Sequence, residues 1–326
     1  MSLSAARLRA VPLLAASILL AGCGTSSGAS SSDKQAVAAF FPLAWVTERV
    51  AGDEWEVTNL TQPGVEPHDL SLGIGETADL DDATLVVFEH EFQPQIDDAI
   101  ENISGATLID AAEVVELRSL EDSEEEHDEE SAEEGHGYGD TDPHFWQDPL
   151  LMADLADAIA DGLAEVDPDG AARYRDNADE VRTDLEALDA DFSAGLADCE
   201  RDTVVVSHEA FGYLERYGLR FEGIAGLSPD AEPTPAVLAE LEDLIAAEGI
   251  TTVFSERLAS PAMAESLASD AGVETAVLDP LEGPGKDSAN DPANDSANDS
   301  ANDQDAGDYV ALMQQNLAVL QAANGC

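Results

Sequence analysis

The chain is poor in positive charge. Only 13 lysines and arginines stand against 70 aspartates and glutamates, a formal net charge of −57 at pH 7. That balance excludes a nucleic-acid groove, which needs a basic surface, and it disfavours adsorption to anionic lipid. It agrees with high solubility and with a salt-rich setting, where abundant ions screen self-repulsion, and its field concentrates cations near the surface. Cysteine is nearly absent. The three present, Cys23, Cys199 and Cys326, show none of the close spacing of a zinc–thiolate cluster. Long apolar runs are missing too: Val11 to Ala21 is the most sustained, and it falls short of the roughly 20 residues a membrane-spanning helix needs.

That apolar run follows Arg7 and Arg9 and ends in Leu20-Ala21-Gly22-Cys23, small residues directly before a cysteine. This looks like a bacterial lipobox, so residues 1–22 are expected to be a signal peptide and Cys23 the lipidated first residue of the mature protein. Residues 23–33 are small and polar, as a tether should be, and folded protein is expected from Lys34. The body would then sit outside the cytoplasm on a lipid anchor, reaching the membrane only through it. An oxidising compartment allows Cys199 and Cys326 to pair, pinning the C-terminus to the second half of the chain.

With 326 residues, two lobes are the natural division. Short apolar runs alternate with amphipathic stretches, the βαβ pattern of parallel sheets covered by helices. Ala36–Phe41, Glu56–Leu60, Leu85–Phe88 and Thr107–Ile109 read as strands of an N-terminal lobe over 34–165. Leu155, Ile159 and Leu163 recur at helical spacing after Pro149. A long helix from Pro168 to about Leu196, within a linker of 166–198, carries Tyr174, Val181, Leu185, Leu188 and Phe192 on one side. In a C-terminal lobe over 199–326, Thr203–Val206, Arg220–Ile224, Thr251–Phe254 and Thr275–Leu278 read as strands. Pro235–Ala247, Pro261–Ala271 and Tyr309–Ala323 read as helices. Two polar segments belong to no core and are expected to be mobile loops: the acidic stretch 121–140, with His127 and His136, and the Asn-Asp repeat within 286–307.

Of six histidines, three share one setting. His68 follows the strand ending near Leu60, His144 precedes the helix at Pro149, and His208 directly follows Val204–Val206; Asp279 directly follows the strand ending at Leu278. Ligands of open parallel sheets bind beyond the carboxyl ends of the strands, so these four side chains are expected to face one cleft. Three imidazoles and one carboxylate suit tetrahedral zinc; manganese, the alternative, prefers more oxygen donors. Glu256, beyond the strand ending at Phe254, is expected to orient a ligand histidine or serve as an alternative ligand. His90, between Glu89 and Glu91, is expected off the site, paired with a local acid. Each residue also has a plainer reading: a loop histidine bonded to backbone, and, for Asp279 before Pro280, a side chain that only turns the chain.

Gly64-Val65-Glu66-Pro67-His68-Asp69, Asp142-Pro143-His144-Phe145-Trp146-Gln147-Asp148-Pro149 and Ser207-His208-Glu209-Ala210-Phe211-Gly212-Tyr213-Leu214 resemble motifs of metal-binding ABC-transporter lipoproteins of the ZnuA type. So do Val253-Phe254-Ser255-Glu256, Leu278-Asp279-Pro280-Leu281 and the helix from Tyr309 to Leu320. The resemblance implies a TroA-like α/β fold, two parallel-sheet lobes of chelatase-like type joined by a long rigid helix, with the metal held between them. It carries His68, His144, His208 and Asp279 over as ligands, and it implies a monomer that delivers zinc to a permease and its ATPase. Zinc members often carry a His-rich acidic loop; this one has only His127 and His136, consistent with weak secondary capture. Two other classes compete: a zinc hydrolase or lyase with an open fourth position and Glu256 or Glu209 as base, and a surface protein whose metal only holds the fold. Two lobes with their own apolar strands should stay folded when stripped of metal, so calorimetry with and without chelator is expected to show a cooperative transition in both; its loss with chelator would favour the structural reading.

Overall fold

The computed structural model describes residues 34–120, 140–283 and 308–326. Strands of only four residues suffice because the central ones are apolar or β-branched and covered on both faces. In the first sheet, β1 (Gln35–Ala38), β2 (Glu56–Asn59), β3 (Leu85–Phe88) and β4 (Thr107–Asp110) run parallel in the order β2-β1-β3-β4. In the second, β7 (Thr203–Val206), β8 (Arg220–Gly223), β9 (Thr252–Ser255) and β10 (Glu274–Val277) run parallel in the order β10-β9-β7-β8. The fold is thus α/β with parallel sheets. In each sheet the chain leaves its first strand to one side and then returns to the other, which opens a crevice at the strands' carboxyl ends.

The crossovers of the first sheet are α1 (Phe41–Ala51), α2 (Ile74–Asp82) and α3 (Pro94–Ile100), followed by the single turn α4 (Ala111–Val114). Expected strand residues up to Phe41 are not all strand: β1 stops at Ala38, and α1 begins at Phe41 with Pro42 in its first turn. Proline lacks the N–H a central strand must donate but fits a helix's opening turn. Seven successive residues of α1, Phe41 to Thr47, are buried, so it has no polar face whose period would have announced it. A two-stranded antiparallel pair, β5 (Arg118–Ser119) and β6 (Thr141–Asp142), brackets the acidic segment.

α5 (Pro149–Val166) is started by Asp148, whose carboxylate accepts from Leu150 N at 2.8 Å. It lies close on the sheet because Gly162 faces Ile109: a Cβ there would stand 2.8 Å from Ile109 Cδ1. α6 (Ala171–Gly195) buries Tyr174, Val181, Leu185, Leu188 and Phe192, the side read from the sequence, and packs against α1, α5 and the closing helix α9 (Tyr309–Asn324). α7 (Pro235–Glu248) and α8 (Ala262–Ala271) cover the second sheet. The described residues between Lys34 and Cys326 belong to one compact unit, and none of their helices is long and apolar enough to cross a membrane.

α9 is held at both ends. At its start Asp308 accepts from Trp45 Nε1 at 3.3 Å, and Tyr309 donates to Trp146 O at 2.6 Å. At its end Ala323 O accepts from Arg201 and from Thr251 Oγ1, and Cys326 is disulfide-bonded to Cys199. The bond closes a loop of 127 residues, for which chain entropy gives a stabilisation of up to about 5 kcal/mol against a typical value of about 2–4. The double variant Cys199→Ser/Cys326→Ser is expected to lose that much in a denaturant titration, with a steeper slope because the unfolded chain is no longer cross-linked; an unchanged midpoint and slope would mean the hydrogen bonds hold α9 alone.

Candidate metal centre

Each histidine is held by a specific polar contact. Glu66 caps a 3-10 turn, Pro67–Asp69, its carboxylate accepting from His68 N at 3.3 Å, while Gln93 Nε2 donates to Pro67 O at 3.0 Å. Asp142 Oδ1 accepts from both the backbone N (3.0 Å) and the ring Nδ1 (2.8 Å) of His144. His208 leaves the end of β7 with its Nδ1 2.6 Å from Glu256 Oε1. A carboxylate only accepts, so in the last two rings the proton sits on Nδ1 and Nε2 is turned toward the common centre.

That centre is completed by Glu282. Its Oε1 lies 3.2 Å from His208 Nε2, 3.3 Å from His68 Nε2 and 3.6 Å from His144 Nε2. One donor atom from each of the four residues lies within 4.8 Å of the others, and among the described residues no other group of histidine, cysteine or acid does so. A tetrahedral ion with bonds of about 2.0–2.1 Å separates its donors by about 3.3–3.4 Å, close to the 3.2–3.6 Å between the Glu282 oxygen and the three imidazole nitrogens. All four side chains are buried, and His144 Nε2 and Glu282 Oε2 have no hydrogen-bond partner. Buried polar atoms left unpaired at a convergence point fit a bound cation.

The electrostatics are those of charges withdrawn from water. Desolvation pulls the His208 pKa down, but the carboxylates of Glu256 and Glu282 outweigh it and hold it well above the usual range. Desolvation alone would raise Glu282; His208 and His68 reverse that and hold it well below its ordinary value. His68 is lowered by burial. Glu66 is pushed up to about 9, by burial first and then by Glu282. Aromatic rings close the floor: Phe92 packs edge-on to His68 at 4.7 Å and Trp146 to His144 at 5.2 Å, with Phe40 against both aromatics. Such walls exclude water and strengthen every interaction inside them.

A family model described as "Zinc-uptake complex component A periplasmic" matches residues 36–323. The chain belongs to this ZnuA family. It is 34% identical to the zinc-binding lipoprotein AdcA of Streptococcus pneumoniae, over 94% of this chain and 60% of that protein. It is 32% identical to the high-affinity zinc uptake system protein ZnuA of Bacillus subtilis, over 93% of each. The chain therefore spans about 60% of the length of the pneumococcal AdcA proteins it matches. Among solved structures, the Zn(II)-bound ZnuA-like domain of S. pneumoniae AdcA superposes with a TM-score of 0.68 at 29% identity, covering 90% of this chain and 99% of that one. The laminin-binding protein Lmb of Streptococcus agalactiae does so with a TM-score of 0.73 at 25% identity, covering 89% and 99%.

Within this ZnuA-family fold, His68, His144 and His208 come together and Asp279 does not join them. Asp279 Oδ1 accepts from Leu281 N at 2.9 Å, and Oδ2 pairs with Arg257 Nε at 2.9 Å. Its carboxylate is used up in turning the chain, and the carboxylate that meets the imidazoles lies three residues on, at Glu282. No signal in the sequence separated the two acids, because both follow the same strand. Glu256 orients His208 and is not one of the four. Asp142 and Gln93 went unread as supports. His90 is off the centre, its Nδ1 3.1 Å from Asp97, and Glu209 is exposed. Cys23, His127, His136 and the Asn-Asp repeat lie outside the described residues.

One more buried acid borders the site. Glu89, at the end of β3, is 1% exposed with neither carboxyl oxygen hydrogen-bonded, and burial, then Asp142, Asp110 and Asp97, push its pKa well above the usual range. A raised folded pKa gives stability that is complete below the unfolded value, near 4.3, and is lost as pH rises toward the folded one, by about 1.4 kcal/mol per pH unit. Glu89→Gln is therefore expected to melt progressively higher than the parent as pH goes from 5 to 8; parallel pH profiles would show that Glu89 is not protonated in the fold.

Proposed function

We propose that this chain captures one zinc ion with His68, His144, His208 and Glu282 and hands it to an ABC importer. The observation that carries the reading is the single oxygen, Glu282 Oε1, at 3.2–3.6 Å from three imidazole Nε2 atoms. Three nitrogens and one carboxylate oxygen match zinc's preferred donors, whereas manganese would be served by more oxygen. The relatives, a zinc-binding lipoprotein and a zinc uptake system protein, support the same metal. Receptor fits better than enzyme: a carboxylate in the fourth position leaves no open place for a reacting water, and Glu256, the candidate base read from the sequence, is engaged with His208. The protein would act as a monomer, lipid-anchored through Cys23 outside the cytoplasmic membrane, and pass the ion to a permease driven by its ATPase. The two sheets with their helices would serve as the two lobes that hold the ion, joined through α6, with Cys199–Cys326 fastening the closing helix.

Competitive titration by zinc and manganese tests the metal: zinc is expected to win by orders of magnitude, and preference for manganese would overturn the assignment. His144→Ala is expected to weaken zinc binding by at least about tenfold to a hundredfold, since it deletes a donor and strands Asp142; unchanged affinity would remove His144 from the set. Without metal, His208 is held protonated at neutral pH by its two carboxylates, so zinc must displace that proton. Calorimetry in buffers of different ionisation enthalpy should read about one proton released near pH 7, with affinity falling as pH is lowered; no release would mean that His208 is already neutral.

A further inference from the structure

Glu282 comes to the metal centre on the loop that follows an edge strand. His68, His144 and His208 stand on capped turns or at the end of a central strand. Glu282 follows β10, an edge strand whose residues are mostly exposed, and so must be held from outside. The holding group is on α9. Asn316 is 3% exposed on a helix face otherwise formed by Leu312, Met313, Leu317 and Leu320. Its Oδ1 accepts from Asp279 N at 3.0 Å, and its Nδ2 donates to Asp279 O at 2.6 Å, so one side-chain amide stands in for the missing neighbouring strand. Burying an amide on an apolar helix face is costly unless both ends are paired, and here both ends are paired to the backbone of one residue.

From that fixed point the chain turns sharply. Asp279 Oδ1 accepts from Leu281 N, Arg257 holds Oδ2, and Leu281 takes a left-handed φ of 60° with its side chain fully buried. A non-glycine residue keeps such a backbone only where its surroundings impose it. Pro280 O is held at the same time by Trp146 Nε1 at 2.8 Å and Gln147 Nε2 at 2.6 Å, both from the turn that follows His144. After Leu281 comes Glu282, whose carboxylate reaches the three imidazoles.

We propose that Asn316 and Asp279 are positioning residues for zinc capture: Asn316 locks the backbone of Asp279, and Asp279 folds the turn that aims Glu282. This rests on the reading of Glu282 as a zinc donor. A donor aimed in advance loses little freedom on binding, so the lock acts on affinity through Glu282 and through no other ligand.

The test is a thermodynamic cycle on the full exported chain, with zinc affinity by competition and the absorption spectrum of the cobalt(II)-loaded protein as readouts. Asn316→Ala is expected to weaken zinc by about tenfold to a hundredfold and to move the cobalt spectrum toward that of Glu282→Ala. Asn316→Ala/Glu282→Ala is expected to bind no more weakly than Glu282→Ala alone, because the lock has nothing left to aim. Asp279→Ala, which leaves α9 untouched, should repeat the pattern and carries the test if Asn316→Ala does not fold. Lowered melting temperature with unchanged affinity and cobalt spectrum, or losses that add to that of Glu282→Ala, would overturn the lock while leaving the centre standing. Parental affinity in Glu282→Ala would remove the donor itself, and the proposal with it.

Discussion

Everything in this molecule answers to one constraint, a carboxylate stripped of water and set among three imidazoles. A buried anion is tolerable only when paired and hydrogen-bonded, and Glu282 meets its partners from three separate parts of the chain. Around it a second ring of acids does the opposite work. Asp142 and Glu256 each take an Nδ1 proton, fixing which nitrogen of His144 and His208 faces inward. Glu256, which orients the His208 ring, also holds its pKa above the usual range together with Glu282, so the site is ready for a cation.

Holding that arrangement requires both sheets at once. His68 and His144 come with the first, His208 and Glu282 with the second, and the walls between them are aromatic. Trp146 belongs to this wall and also donates to Pro280 O, so the floor under His144 and the loop bearing Glu282 share a side chain. α9 closes the circuit: Asp308 and Tyr309 meet Trp45 and Trp146, Asn316 meets Asp279, and Cys326 is bonded to Cys199. A helix fastened at both ends and carrying a polar side chain at its middle is a rigid support. Rigid support keeps the four buried side chains at their mutual spacing.

The acidic surface belongs to a different scale. A formal charge of −57 sets a long-range field that draws cations of every kind, screened within about 8 Å at physiological salt. It confers no preference among metals. Preference arises only where water is excluded and donor number is limited to four, which is why the general field and the specific centre involve different residues.

The sequence by itself determined the parallel α/β class, through short apolar strands alternating with amphipathic helices, and the three histidines, through their common place just beyond strands or before a capped helix. It also marked Cys199 and Cys326 as the available pair, and the buried side of α6, through its 3.6-residue period. It did not announce α1, because a helix buried over seven successive residues has no polar face to display. The choice between Asp279 and Glu282 lay with the tertiary structure alone. Both acids follow β10 within a few residues; which one reaches the imidazoles depends on a left-handed Leu281, an Arg257 that claims Asp279, and an Asn316 on a helix 37 residues further along the chain. Local pattern records what a residue is and which element it follows, whereas the direction of a loop carboxylate is set by contacts between segments distant in sequence, and only the folded chain brings those together.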